Sequence, residues 1–360
     1  MAQPTSAPPT PSSPGSRDAE TRRRTVQLNL TSPVPILAVT TLVLFLAFGW
    51  LTPGFFSVRF SIYPLLRDAS VITVIGLAQL MALSVGHLNL AVGRFAALAA
   101  LTAGFTFERL GWSLVPGVLA GLAAGALIGA LTGWIIVRSK VNAFIVTLAM
   151  DFALLGLVTM LYITLTDAAA FTVKPAGMDA IRTGSFADLC LGAVCGPAFL
   201  PVMVVPALLT VAAIGFIYSR SRLGRELLMA GANLQAARLS GIPVDRRIIT
   251  AHTIGGLLAG LAGVMLAFIS GSFSAAVGDQ FLLPSFLAPL LGGTSLFGGQ
   301  VAVIGTLFGT LLTSVIRQGL AIQGFGVETL NIALGIVLLL ALSMPRIREA
   351  ALSLVRRSRP

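Results

Sequence analysis

Several apolar runs in this chain continue for about twenty residues, the length an α-helix needs to cross a ~30 Å hydrocarbon core. One is "VPGVLAGLAAGALIGALTGWIIV" (115–137), which no charged residue interrupts. Such runs in series restrict the fold to a bundle of membrane-crossing helices. The charge content agrees: 10% of the 360 residues are charged, against roughly 25% in a soluble domain. The fold class expected is therefore all-α and polytopic, with about ten transmembrane helices.

The spans read as 35–51, 68–86, 93–107, 113–137, 143–165, 201–218, 248–271, 281–297, 299–319 and 327–345. A formal net charge of +11 would suit nucleic acid, but the arginines lie in short segments between apolar runs, with no interleaved aromatics. That is the pattern of cytoplasmic loops, not of a nucleic-acid surface. The richest segments hold Arg138 and Lys140, Arg220 to Arg247, and Arg346 to Arg359. Ten crossings place all three on the cytoplasmic side together with both termini.

The domain plan follows. Residues 1–30, rich in Pro, Ser and Thr and holding Arg22-Arg23-Arg24, are expected to be a disordered cytoplasmic tail. They lack the apolar core of a signal peptide. A transmembrane domain spans 31–345, with a cytoplasmic loop at 219–247 and an external loop at 166–200. A basic cytoplasmic tail covers 346–360. The external loop holds both cysteines, Cys190 and Cys195. In an oxidising compartment they are a possible disulfide; two free thiols near a membrane surface are the alternative. With His87 and His252 as the only histidines, no Cys/His set has zinc spacing.

Glycine marks how the helices pack. Gly117, Gly121, Gly125, Gly129 and Gly133 recur every fourth residue, and Gly256 and Gly260 repeat the spacing. Such a face lets a neighbouring backbone approach closely. There is also an internal echo between "VGHLNLAVGRFAAL" (85–98) and "LGGTSLFGGQVAVI" (291–304). Each puts glycine and polar residues between apolar segments, as the broken helices of transporters do. The two copies come out in parallel orientation, whereas an inverted repeat needs the opposite. Either 281–297 is re-entrant or the echo is chance.

Enzymatic constellations are scarce: no HExxH, no paired carboxylates on one span, no nucleophile elbow. "LGGTSLFGGQ" lacks the Lys-Ser/Thr of a phosphate-binding loop, so the chain binds no cofactor of its own and any ATP with its Mg is used by another subunit. The catalytic and metal sets are empty. Asp151 is the clearest ionisable residue within a span and suggests function by default. It is either an ion-coupling site or a polar contact between helices, with no second acidic residue placed near it. Gln79, Asn89, Thr294 and Ser295 join it as candidates for a translocation pathway that suits a hydroxylated solute. Helix–helix hydrogen bonding is the competing role for the neutral ones.

One polar segment stands apart, "GRELLMAGANLQAARLSGIPVDRR" (224–247). Leu227, Ala230, Leu234 and Ala237 form a helical stripe from Arg225 to Ser240, which Gly241-Ile242-Pro243 ends. Arginines surround it, and its small residues favour a docking protein over a lipid surface, where larger apolar residues are expected.

At this segment the sequence resembles a known family. "GRELLMAGANLQAARLSGIPV", "GGLLAGLAGVMLA" and "LAPLLGGTSLFGGQVAVIGTLFGTLLTSVIRQGL" closely resemble the permease subunits of monosaccharide ABC importers, the ribose- and xylose-type permeases. "VNAFIVTLAM" (141–150) is similar to that family's Pro-Phe-Ile-Val-Thr-Leu stretch. The resemblance implies a bacterial inner-membrane permease, paired with a second permease copy and fed by a periplasmic solute-binding protein. It also implies a cytoplasmic ABC ATPase that drives it through a coupling helix. The residues carried over for ATPase coupling are Arg225, Gly231, Asn233, Ala236, Ala237, Ser240 and Gly241. There are departures: Asn89 and Ala91 stand where the family commonly has aspartate and serine, Ala143 replaces a proline, and Leu155 an arginine. These bear on which solute is carried. Related branched-chain amino acid permeases share the architecture and stand as the alternative, with an ion-coupled secondary transporter using Asp151 behind them.

Overall fold

The computed structural model describes residues 33–166, 170–188, 190–191, 194–195, 197–326 and 328–339. The expected tails at 1–30 and 346–360 lie outside the described residues. Helices occupy each of the ten places expected. They are α1 (Pro33–Leu51), α2 (Tyr63–Ser84), α3 (Val92–Glu108), α4 (Leu114–Ser139) and α5 (Ala143–Leu165). A short α6 (Met178–Thr183) precedes α7 (Val204–Arg220), α8 (Arg222–Ala232), α9 (Leu234–Leu239) and α10 (Val244–Ser270). Then come α11 (Leu282–Leu291), α12 (Val303–Ile322) and α13 (Glu328–Leu339).

Six of these are long and apolar enough to cross a membrane, and α7 with α8 makes a seventh, bent by 74°. Of the remaining three, α11 falls short of its expected span, for a local reason. The expected span 281–297 contains only the ten residues of α11, because Gly293, Gly298 and Gly299 adopt positive φ and turn the chain through a loop at 292–302. α3 is seventeen residues, beginning after the parallel break at 85–91. The described part of the last span is α13.

α2 is the hub, buried from Ala69 to Ser84. α4 and α10 run antiparallel along the glycine face. A methyl group added to Gly125 would stand 2.5 Å from the Gly256 carbonyl oxygen, and one on Gly129 would strike that of His252. Gly117 and Gly121, earlier in the series, face α3 first: Gly117 sits on the Phe107 ring and Gly121 against the Ala99 carbonyl oxygen, with the Val264 side chain of α10 beside it.

The two ends of the bundle are distinct. At one end, the last turn of α2, the loops 85–91 and 292–302, the α4–α5 turn and α8–α9 come together. Gly299 N–H donates to Ser84 O (3.2 Å), and Gly231 packs on both residues. At the other end, Gln323 Nε2 donates to Thr52 Oγ1 (2.9 Å) and Tyr63 Oη to Gly184 O (3.1 Å). The expected external loop is at that end. It carries β1 (Ala170–Phe171), paired with β4 (Phe273–Ser274), and the hairpin of β2 (Cys190–Leu191) with β3 (Val194–Cys195), in which Cys190 stands opposite Cys195.

Candidate coupling face and transport pathway

The polar segment is an elbow of two helices, not the single helix expected from its stripe. Asn233 is the reason. Its extended backbone (φ −159°, ψ 108°) stops α8, and its side-chain oxygen accepts from Ala236 N–H (3.0 Å) to start α9. Ser221 starts α8 in the same way by accepting from Gly224 N–H.

The elbow is fastened from beneath by charge. Glu226 is buried, and its two carboxylate oxygens accept from Arg222 Nε (2.7 Å) and Arg247 Nε (2.5 Å). The second bond ties α8 to the first turn of α10. The Arg222 hydrogen bond, then that of Arg247, holds the Glu226 carboxyl below its ordinary value of 4.5 against the opposing cost of desolvation. Arg238 to Asp245 (2.7 Å) ties α9 to the same turn of α10.

These ties sort the residues expected to couple. Arg225, Asn233, Ala236, Ser240 and Gly241 face outward. Gly231 and Ala237 do not. Gly231 is pressed against Ser84 and Gly299, while Ala237 packs with Ala230 among Ile136, Ala143, Val146 and Ile248. Their smallness serves contact inside this chain. Met229 and Leu234 of the elbow are partly exposed, and the most exposed large residues of this face are Leu239, at 90%, and Phe297, at 89% at the tip of the 292–302 loop. Sequence reasoning missed both. Leu239 lies off the buried stripe at a position that reads as ordinary helix, and Phe297 is brought to this face only by a tertiary contact.

The candidate pathway residues fall into two groups. Gln79, Asn89, Thr294 and Ser295 shape the two breaks. With its amide turned to match, Gln79 donates to Asn89 O (3.0 Å) and accepts from Asn89 N–H (3.1 Å). Asn89 Oδ1 accepts from Ala91 N–H (3.0 Å) at the start of α3. Thr294 and Ser295 accept from Ala302 and Phe297 N–H, each at 3.1 Å. Gln79 and the Asn89 side-chain oxygen are bonded to backbone, which gives both residues a local role at the helix–loop junction.

Asp151 belongs to the second group. It faces inward on α5, with Arg94 Nε 3.4 Å away, and Arg94 Nη1 also reaches Asp279 at 2.5 Å. A second acidic residue therefore does stand near Asp151, contrary to the sequence expectation. It escaped notice because Asp279 lies in the segment before α11, far off in the chain. Beside this triad the backbones of Gly93 and Gly278 touch, joining the start of α3 to the segment that leads into α11. Asp151 is eight residues into α5 and Asp279 three before α11, so the joint lies roughly 12–18 Å from the coupling end at 1.5 Å per residue. That is near mid-membrane, where the discontinuous helices of transporters meet.

His87 and His252, distant in sequence, are hydrogen-bonded through Nδ1 and Nε2 at 3.1 Å. Among the described residues no group of three or more His, Cys, Asp or Glu side chains has a metal-binding arrangement.

Residues 61–342 match the family described as the branched-chain amino acid transport system / permease component. The chain belongs to this family. Its relatives include the fructose import permease protein of Rhizobium meliloti, 29% identical over 89% of this chain and 88% of the relative. The ribose import permease protein of Escherichia coli K12 is 31% identical over 84% and 90%. The xylose transport system permease protein of the same strain is 29% identical over 88% and 92%. No solved structure matches. The resemblance to monosaccharide ABC importer permeases is thus borne out, and the chain is a multi-pass membrane permease. In this permease the elbow of α8 and α9 sits between α7 and α10 with Arg222, Arg225 and Arg238 exposed, while the Arg94 triad joins α3 and α5 to the segment before α11.

Proposed function

We propose that this permease imports a monosaccharide or polyol across a bacterial inner membrane, driven by a separate ABC ATPase docked on the α8–α9 elbow. In this reading ten crossings place the elbow and both termini in the cytoplasm. A second permease copy completes the pathway, and a solute-binding protein delivers solute at the opposite end. ATP and Mg are consumed by the ATPase subunit. Movement at the elbow reaches the spans through Glu226–Arg247 and Arg238–Asp245, the two ion pairs that join α8 and α9 to α10. From there it passes along the glycine seam to α4. The sugar specificity of the relatives, for fructose, ribose and xylose, supports a hydroxylated solute.

The observation that carries the coupling reading is the elbow itself. It is bonded rigidly to the permease below while Ala236, Leu239 and Ser240 face outward as a small-residue patch around one large apolar knob. A helix braced on one side and bare on the other suits a groove on a protein partner. Ala236→Trp and Leu239→Asp are therefore expected to abolish ATP-driven uptake and co-purification of the ATPase while membrane insertion is unchanged. Normal uptake by both variants would remove the elbow from the coupling path.

A further inference from the structure

At the end opposite the elbow, a crevice of about 120 Å³ opens between α2, α12 and α13. Asp68 enters it from α2, Ser314, Arg317 and Gln318 from α12, and Ile72 and Leu330 give it apolar walls. We propose that this crevice is a solute-contact site taking a neutral, polyhydroxylated molecule. The inference rests on the reading of the chain as a solute importer.

Ser314 is the first reason. It is 3% exposed, and its hydroxyl has no hydrogen-bond partner. Its neighbours on α12 do not share this state: Thr306, Thr310 and Thr313 each donate to a backbone carbonyl one turn back, at 2.9 Å. A buried hydroxyl left unpaired costs about 1–3 kcal/mol, so one that lines a crevice calls for a partner there.

Charge is the second. Asp68 and Arg317 come from facing helices, and among the described residues no ion pair closes one on the other; the ion contact of Asp68 is a loose 3.6 Å to its neighbour Arg67. Arg317 lies five residues inside the end of α12, and Asp68 ten residues inside the helix that runs unbroken from Val58 into α2, roughly 7.5 and 15 Å along at 1.5 Å per residue. Charges at that depth do not face hydrocarbon. One carboxylate and one guanidinium sum to zero, which disfavours an ionic solute. Together they accept from and donate to adjacent hydroxyls. Gln318 donates Nε2 to Phe60 O (3.2 Å) and keeps its carbonyl oxygen as a further acceptor. Ile72 and Leu330 suit the C–H face of a sugar ring. The space holds about four waters at ~30 Å³ each, enough for a few hydroxyl groups along one edge of a sugar. An importer receives its solute at this end.

The test uses the full transporter in intact cells, and its labelling arm works whichever solute is carried. Ser314→Cys is treated with the membrane-impermeant reagent sulfonatoethyl methanethiosulfonate, with the unmodified chain as background and Asp179→Cys, on the external loop, as control. We expect Ser314→Cys to be labelled above background from outside. For whichever of fructose, ribose, xylose or allose is carried, Asp68→Asn and Arg317→Gln are expected to raise KM about tenfold or more with Vmax within about twofold, a loss of binding and not of turnover. No label at Ser314→Cys while Asp179→Cys reacts would overturn the site. So would a chain-to-chain disulfide between Asp68→Cys and Arg317→Cys, which would make the crevice a subunit interface. Failure of the unmodified transporter to import in an ATP-dependent way would instead count against the importer reading, independently of the label.

Discussion

Glu226 shows how much one buried side chain organises. It holds Arg222 on its own helix and Arg247 on the next, so the elbow keeps one angle to α10. Its folded value lies below 4.5, lower than in the unfolded chain. The stabilisation is then fully present above the unfolded value and is lost as pH falls through the folded one. Glu226→Gln, nearly the same shape, is expected to unfold at a lower temperature than the parent chain in detergent near pH 7. The gap should close between pH 7 and an acidic pH below the lowered folded value, where the parent carboxyl is protonated as well. An equal gap at both pH values would mean that the arginine pairs contribute nothing. The sequence showed Glu226 among arginines, but not which of them it holds, since Arg247 lies twenty-one residues away. Asp279 was hidden in the same way, as its partner Arg94 is 185 residues distant. Pairings across that much chain leave no spacing signal.

Elements were far more legible than pairings. Every expected span contains a helix, because apolar length is a local property. The glycine series on α4 reads as a packing face and is one, although its partner, α10, became visible only in the fold. The errors sit where turn chemistry overrides periodicity: Asn233 splits one stripe into α8 and α9, and three positive-φ glycines cut 281–297 to ten residues. The seam makes a contrast within one residue type. Gly125 has the Gly256 oxygen 2.5 Å from where a Cβ would be, whereas Gly156 on α5 has nothing within 4 Å. Gly125→Ala is expected to force α4 from α10 and cost about 1–3 kcal/mol as overpacking. Gly156→Ala should be neutral or stabilising by about 0.5–1 kcal/mol through helix propensity. Thermal melts of the two proteins in one detergent check this, and a larger loss at Gly156 would mean that the seam is misplaced.

For the whole molecule, the internal echo acquires a physical meaning. The 85–91 and 292–302 breaks lie at the same end and touch, Gly86 against Phe297 and Gly298. Each follows a helix running toward the elbow and precedes one running away. The two copies are therefore parallel, as the crossing count required, and α11 is a half-length descent whose start lies near mid-depth beside Gly93. This arrangement makes an orientation test unusually sharp at one residue. Were 281–297 a hairpin that entered and left from the far side, Phe297 would emerge opposite the elbow. With α11 descending to the elbow's end, Phe297 shares a side with Lys140 and Arg222. Single substitutions to cysteine at Phe297, Lys140 and Arg222 are expected to react with an impermeant thiol reagent only in inside-out vesicles, and Trp112→Cys and Asp179→Cys only in right-side-out ones. Reaction of Phe297→Cys from outside, with the other four as stated, would break the ten-crossing order at α11 alone. It would also separate the 292–302 loop from the coupling face. Reaction of Lys140→Cys and Arg222→Cys on opposite sides would break the order between α4 and α8, where the positive-inside count places both on one side.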